Sequence, residues 1–124
     1  MKLLIVDDSS IMRRTIERHL QDYQIEIVGM AENGQVALEM VKKHKPDVVT
    51  LDITMPHMDG LTCLKSIKAI APKTKVMVIT ALSDKLTGLQ ALSLGARGYL
   101  FKPVTPEDLK AEFDQLLNRK IIHE

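Results

Sequence analysis

The sequence is poor in the residues on which several classes of protein depend. Its 124 residues include a single cysteine, which cannot form an internal disulfide, so an extracellular scaffold held by disulfides is excluded. Two Phe, two Tyr and no Trp leave few rings on which the bases of a single-stranded nucleic acid could stack. Basic and acidic residues number 17 and 16, and the net charge of +1 lacks the dominant positive field that nucleic acids and anionic membranes require.

Long hydrophobic runs are also missing. The first apolar run covers only residues 3–6 before two aspartates interrupt it, and the longest run elsewhere, residues 76–82, contains a threonine. Neither is long enough for the core of a signal peptide or for a membrane span. We therefore expect a cytoplasmic protein that has no membrane or nucleic-acid partner. The length of 124 residues leaves room for one domain, over residues 1–124, and 45% apolar residues are an ordinary globular composition. Because the last predicted helix runs to about Asn118, we expect no output domain.

The sequence does contain a regular alternation of two patterns. Short apolar runs of β type cover residues 3–6, 25–30, 48–51, 76–79 and 99–101, and each is followed by apolar residues at helical spacing. Asn33, Asp59 and Thr105 stand where helices two, three and five should begin, and the last helix should end near Asn118. Five strand–helix units predict a (βα)5 α/β fold, an open doubly wound parallel sheet in which residues 25–30 form an edge strand.

The fourth helix, expected over residues 83–94, is the weakest of the five. Thr87 and Gly88 lie in its middle, and the glycine costs about 1 kcal/mol relative to alanine. Two interpretations stay open: a slightly poor helix without further meaning, or an element that is marginally stable so that it can shift.

Polar side chains follow four of the five predicted strands. Asp7 and Asp8 end the first strand, Asp52 the third, Thr80 the fourth and Lys102 the fifth. Each has an ordinary explanation by itself, because aspartate often caps the next helix and threonine often ends a strand. Together they lie at the carboxyl edge of a parallel sheet, which is where such sheets bind ligands.

Three carboxylates in one place repel each other, and one lysine cannot neutralise them. Either their pKa values rise or a cation binds, and oxygen ligands beside water favour Mg²⁺. A carboxylate beside Mg²⁺, a lysine and a hydroxyl suits the transfer of a phosphoryl group, with Asp52 as the best nucleophile because it alone ends the central strand. No phosphate-binding loop of the G-x-x-x-x-G-K-S/T type is present, so a nucleotide held in such a loop is not the expected donor.

Several motifs resemble the receiver-domain family of two-component response regulators, in particular its stand-alone, CheY-like members. They are LLIVDDS (residues 3–9), VVTLDITMPHMDG (48–60), VMVITAL (76–82), GARGYLFKP (95–103) and the helix start TPEDL (105–109). The resemblance covers the whole chain. It implies the flavodoxin-like, CheY-like version of the fold, with strand order 2-1-3-4-5.

The resemblance also implies a role for each residue of the site. Asp52 is the expected phosphoacceptor. The expected ligands of Mg²⁺ are Asp8 directly, Asp7 largely through water, Asp52, and the backbone carbonyl of Thr54.

Four further positions have implied roles around the phosphoryl group. Lys102 pairs with it, and the bond from Lys102 to Pro103 is expected to be cis. Thr80 bonds a phosphoryl oxygen through its hydroxyl, and Tyr99 turns inward when Thr80 moves. The face formed by helix four, strand five and helix five then changes its shape.

The expected function is a monomeric phosphorylation switch that catalyses only its own phosphorylation and dephosphorylation. Its expected partners are a CheA-like sensor histidine kinase and a target such as a flagellar motor switch protein. The alternative is a phosphorelay intermediate that passes the phosphoryl group to a histidine phosphotransfer protein. A phosphatase of the haloacid-dehalogenase type is disfavoured, because Thr54 stands where such enzymes carry a general acid. The intact set of acids, lysine and threonine argues against a receiver that is never phosphorylated.

Residues near the site carry further expectations. Thr54 and Leu82 are expected to set the lifetime of the aspartyl phosphate, since an apolar side chain at position 82 cannot orient a water molecule. His57 is expected to be a solvated loop residue or a partner contact, and Cys63 a core residue. Arginines 13, 14 and 18 form a basic face on helix one that is either simply solvated or a docking site for a phosphodonor protein.

Overall fold

The computed structural model describes residues 1–21, 23–54, 59–81 and 85–122. Strands and helices alternate along the chain as predicted. The strands are β1 (Lys2–Val6), β2 (Glu26–Ala31), β3 (Val48–Asp52), β4 (Lys75–Ala81) and β5 (Gly98–Lys102). The helices are α1 (Ser10–His19), α2 (Gly34–His44), α3 (Gly60–Ile70), α4 (Lys85–Ser93) and α5 (Pro106–Ile122).

The strands pair in parallel in the order β2-β1-β3-β4-β5. This confirms the predicted fold class and strand order. β2 is an edge strand, which explains its mostly half-buried residues, whereas every residue of the central β3 is buried.

Side-chain caps fix where the helices begin. The side chain of Asn33 accepts a hydrogen bond from the backbone N–H of Val36 at 2.9 Å, and the hydroxyl of Thr105 accepts one from Asp108 at 3.1 Å. The side chain of Asp59 likewise accepts from the N–H of Leu61, at 3.4 Å. The three caps predicted from the sequence are thus confirmed, and caps of this kind typically contribute about 1 kcal/mol each.

Two apolar layers cover the faces of the sheet. One contains residues of α2, α3 and α4 and includes Cys63, which is completely buried as predicted. The other contains residues of α1 and α5, with Phe113 as its largest fully buried side chain. Burying such a side chain contributes about 1.5–3 kcal/mol, so these layers hold the strands in the register that brings their carboxyl ends together.

Two helices differ from expectation at their ends. α5 continues to Ile122 instead of ending near Asn118, because no glycine or proline follows Asn118 to end it. The structure describes α4 from Lys85, so Ser83 and Asp84 lie outside the described residues.

Within the part of the chain that is described, no helix combines the length and apolar character needed to cross a bilayer.

Candidate functional site

The residues predicted from the strand ends meet at one edge of the sheet. Asp7 follows β1, while Asp52 and Lys102 are the last residues of β3 and β5. The ammonium of Lys102 lies 3.1 Å from Oδ2 of Asp52 and 3.3 Å from Oδ2 of Asp7. Both carboxylates are almost completely buried, so the lysine bridges two charges that water hardly reaches.

Three carboxylates form a cluster that a small cation could occupy. Asp7, Asp8 and Asp52 each offer a carboxylate oxygen, and these oxygens lie within 4.8 Å of one another. Asp8 is exposed, whereas the other two are buried. A set of hard oxygen donors with one side open to water is the kind that Mg²⁺ prefers.

The two oxygens of Asp7 have different surroundings. Oδ1 accepts a hydrogen bond of 2.9 Å from the backbone N–H of Ser9. Oδ2 accepts none from the described residues and is only ion-paired with Lys102. A buried carboxylate oxygen without a hydrogen bond is costly, and a cation is a partner that would satisfy it, so the donor set fits a divalent ion.

Asp52 is held in place by a residue two positions later. Its Oδ1 accepts hydrogen bonds from the backbone N–H of Thr54 at 2.9 Å and from the Thr54 hydroxyl at 2.6 Å. Its Oδ2 accepts one from Lys102. The carboxylate of Asp52 is therefore fixed in orientation, because one oxygen is bonded to Thr54 and the other to Lys102. Sequence reasoning assigned Thr54 only a carbonyl ligand and a role in the phosphate's lifetime, and missed this bond, although a D-x-T spacing after a strand is a recognisable turn signal.

Arg13 is a second residue whose contact the sequence did not reveal. Its guanidinium donates a hydrogen bond of 2.6 Å to the backbone carbonyl of Asp7. The bond joins the first turns of α1 to the loop that carries Asp7 and Asp8. The spacing of Arg13, Arg14 and Arg18 indicates only a basic face and does not show that Arg13 reaches back to the loop.

The Thr80 hydroxyl is buried, and within the described ranges it has no hydrogen-bond partner. An unsatisfied buried hydroxyl costs about 1–3 kcal/mol. Thr80 lies on β4 at the edge where Lys102 ends the neighbouring β5. The hydroxyl of Thr80 is thus available to bond a group that binds at this edge of the sheet.

Burial and charge act against each other in this cluster. Burial raises the pKa of Asp7 and the negative charge of Asp52 adds to the increase, while the Ser9 N–H and Lys102 oppose it. Burial lowers the pKa of Lys102, but its hydrogen bond to Asp52 and the charges of Asp52 and Asp7 raise that pKa by more. The lysine is therefore protonated at neutral pH and supplies a positive charge to the site.

Tyr99 is half-buried on β5, near the site. Its ring packs edge-on against Phe101, with ring centres 5.3 Å apart, and also lies beside Gly88 of α4 and against the core layer that contains Cys63. The peptide bond between Lys102 and Pro103 is cis, as the resemblance implied. Two residues with predicted roles, His57 and Leu82, lie outside the described residues.

Comparison with known proteins decides the family. Residues 3–114 match the family described as the response regulator receiver domain. The chain belongs to this family. The predicted resemblance to CheY-like receiver domains is thereby confirmed.

The relatives of this receiver domain include chemotaxis proteins of similar length. It is 38% identical over 117 residues to the chemotaxis protein CheY of Bacillus subtilis, covering 94% of this chain and 98% of that protein. It is 44% identical over 103 residues to the CheY of Listeria monocytogenes, covering 83% and 87%. Among solved structures, a CheX–CheY complex with BeF3 and Mg from Borrelia burgdorferi matches with a TM-score of 0.89 and 31% identity, covering 94% of this chain and 89% of that one.

Proposed function

We propose that this receiver domain accepts a phosphoryl group on Asp52, in a Mg²⁺-dependent reaction, and thereby switches the face that binds a target protein. One observation carries the proposal. The buried carboxylate of Asp52 is held between the Lys102 ammonium and a cluster of two further carboxylates. The donor we infer is a phosphohistidine of a CheA-like sensor kinase, and the pathway is chemotaxis, in line with the names of the relatives.

The metal ligands would be Asp8 and Asp52, the carbonyl of Thr54, and Asp7 through water. When bound, Mg²⁺ neutralises negative charge on the phosphoryl oxygens, as it does in phosphoryl transfer generally. This matters here because an anionic nucleophile must approach an anionic phosphoryl group.

The chain's own residues orient the reaction. An oxygen of Asp52 attacks the phosphorus in line, forming an O–P bond, while the P–N bond to the donor's imidazole breaks and its electron pair goes to that nitrogen. Thr54 holds the other carboxylate oxygen, which restricts the rotation of Asp52. Lys102 lies 3.1 Å from Oδ2 and stabilises the charge on the transferred group.

The Thr80 hydroxyl links the chemistry to the switch. Phosphorylation adds roughly two negative charges and strong acceptor oxygens beside a hydroxyl that has no other partner among the described residues. Movement of Thr80 toward the phosphoryl group leaves space that the ring of Tyr99 can enter. The equilibrium shifts only as far as these new contacts differ in energy between the two states.

The surface formed by α4, β5 and α5, here the output face, is suited to bind a target. Three leucines of α4 are exposed, namely Leu86, Leu89 and Leu92, at 75%, 55% and 37%. Apolar side chains grouped on one exposed helix are typical of a protein interaction surface. We propose that a flagellar motor switch protein binds this face in the phosphorylated state.

The phosphorelay alternative uses the same acceptor and differs in the next step. Ile11, which is 78% exposed at the start of α1, offers an apolar contact for a docking protein close to the site. A kinase domain and a histidine phosphotransfer protein could both use it. Rapid loss of the phosphoryl group to a purified histidine phosphotransfer protein would favour the relay over the motor target.

Phosphorylation is tested by measuring the mass of the intact protein after incubation with acetyl phosphate. One added phosphoryl group is expected with Mg²⁺ and none with EDTA. The variant Asp52→Asn should stay unmodified, whereas the control Asp108→Asn, an exposed acid on α5, should react like the wild type. Equal modification of wild type and Asp52→Asn would overturn the proposal.

A further inference from the structure

A cavity lies at the opposite end of the sheet from the acidic cluster. It measures about 600 Å³ and lies where α2 and α3 end. Val41, Pro46 and Ile70 contribute its apolar lining. Ile70 is 40% exposed, although Leu64 and Ile67 of the same helix are completely buried. A volume of this size falls in the range of typical ligand sites.

Hydrogen bonds between loops hold the walls of this cavity. The hydroxyl of Thr74 donates to the carbonyl of Pro46 at 2.7 Å, which joins the loop after α3 to the loop after α2. The ammonium of Lys68 donates to the carbonyls of Pro72 and Thr74, at 2.9 and 2.8 Å. The cavity is thus formed before any partner arrives, which reduces the entropic cost of binding.

The rim of the cavity carries positive charge. Lys42, Lys45 and Lys73 are exposed, and no carboxylate of the described ranges lies within ion-pair distance of them. The one acid in the lining is Asp47, and its Oδ2 already accepts a hydrogen bond from the backbone N–H of Lys2. In a chain with a net charge of only +1, three exposed lysines at one cavity are a local concentration of positive charge.

Helix electrostatics account for only part of this charge. Lys42 lies in the last turn of α2, where a cation offsets the partial negative charge of the helix end. Lys73 lies beyond the end of α3 and has no such role. The lining contains no aromatic residue on which a base could stack, so the surface does not suit a nucleic acid.

We propose that this cavity binds an acidic peptide segment of a partner protein. An apolar side chain of the segment would lie on Ile70, and flanking carboxylates would pair with Lys42, Lys45 and Lys73. The interaction is separate from phosphorylation at Asp52, because the cavity and Asp52 lie at opposite ends of the strands. The protein would then engage one partner through its output face and a second through this basic cavity.

The probe for this test is a fluorescein-labelled synthetic peptide in which leucines are flanked by pairs of glutamates, followed by fluorescence anisotropy. Binding should weaken with salt and be lost when serine replaces the leucines. Lys73→Glu and Ile70→Ser should each weaken it roughly fivefold or more. Lys65→Glu makes the same charge change on an exposed residue of α3 outside the cavity and should leave binding close to that of the wild type.

Circular dichroism of each variant is the check that it is folded, so that a loss of binding reports the surface itself. Equal binding by Lys73→Glu and Lys65→Glu would overturn the proposal, as would the absence of binding up to about 1 mM protein. Binding to phosphatidylserine vesicles without binding to the peptide would also overturn it, in favour of a lipid surface.

Discussion

The ring of Tyr99 lies directly against the backbone of Gly88. A Cβ atom at position 88 would stand 3.2 Å from Cδ2 of the ring, closer than such atoms normally approach. Gly88 therefore provides the space in which the ring lies between α4 and β5. The residue that weakens α4 by about 1 kcal/mol is the same one that allows this contact, which favours the interpretation that α4 is marginal for a functional reason.

Replacing Gly88 with alanine should change the position of Tyr99. The added methyl group stabilises α4 through helix propensity but forces the ring away from its present place. We expect the NMR signals of the Tyr99 ring to shift in the unphosphorylated protein, and the further shift on adding beryllofluoride and Mg²⁺ to be smaller than in the wild type. Gln90→Ala changes an exposed residue of the same helix and raises helix propensity without affecting the ring. It should leave the Tyr99 signals as in the wild type, both before and after beryllofluoride and Mg²⁺ are added. Identical Tyr99 signals in Gly88→Ala and wild type would refute this role.

Binding of Mg²⁺ should depend on pH through Asp7. Burial raises the pKa of this carboxyl above its ordinary value, so at low pH a bound cation must displace its proton. The apparent affinity should therefore rise with pH and level off once Asp7 is ionised in the absence of the ion. Calorimetric titration between about pH 5 and pH 8, in buffers with different heats of ionisation, measures both the affinity and the protons released. Asp7→Asn should bind more weakly and show a flatter profile; constant affinity without proton release in the wild type would contradict this expectation.

The hydrogen bond from Arg13 to the carbonyl of Asp7 should hold the metal-binding loop in place. Arg13→Ala and Arg14→Ala remove the same charge near the site, but only Arg13 makes this bond. We expect Arg13→Ala to bind Mg²⁺ roughly tenfold more weakly than Arg14→Ala, since a bond involving a charged donor contributes about 1.5–3 kcal/mol. Equal affinities of the two variants would show that the bond does not position the loop.

The thiol of Cys63 should be unreactive in the folded protein. Burial raises its pKa from 9.0 to about 11, so the reactive thiolate is rare at neutral pH and the group is out of contact with solvent. Labelling with Ellman's reagent at neutral pH should proceed only as fast as the protein unfolds.

The raised pKa of Cys63 also predicts a change of stability with pH. Its contribution is fully present below the unfolded pKa of 9.0 and is lost as the pH rises toward about 11, because the unfolded chain loses the proton first. The expected loss is roughly 2–3 kcal/mol in the free energy of unfolding. Cys63→Ala should lose less stability over the same range, and an identical alkaline loss in both proteins would contradict the assignment.

The arrangement of the site could be predicted because it follows from strand direction. Asp7, Asp52, Thr80 and Lys102 follow or end parallel strands, and the ends of parallel strands necessarily meet at one edge. Alternating strand and helix patterns were sufficient to predict the sheet and its β2 edge. The cis bond and the strand order came from the family resemblance, since no local pattern determines them.

Contacts that depend on reach and on loop conformation could not be predicted. Whether Arg13 faces solvent or bonds the carbonyl of Asp7 depends on how α1 leaves the loop, and the spacing of arginines does not record this. The hydroxyl of Thr54 reaches Asp52 only in one turn conformation. The basic cavity is lined by two loops that are distant in the sequence, so its lysines come together only in the folded chain.

Phosphorylation of Asp52 is tested most directly by locating the modified residue. After incubation with acetyl phosphate, borohydride reduction converts an aspartyl phosphate to homoserine, which tandem mass spectrometry of the digested protein identifies by position. Homoserine is expected at position 52 alone, and only when both acetyl phosphate and Mg²⁺ were present. Homoserine at position 7 or 8, or its complete absence under these conditions, would contradict the proposed role of Asp52.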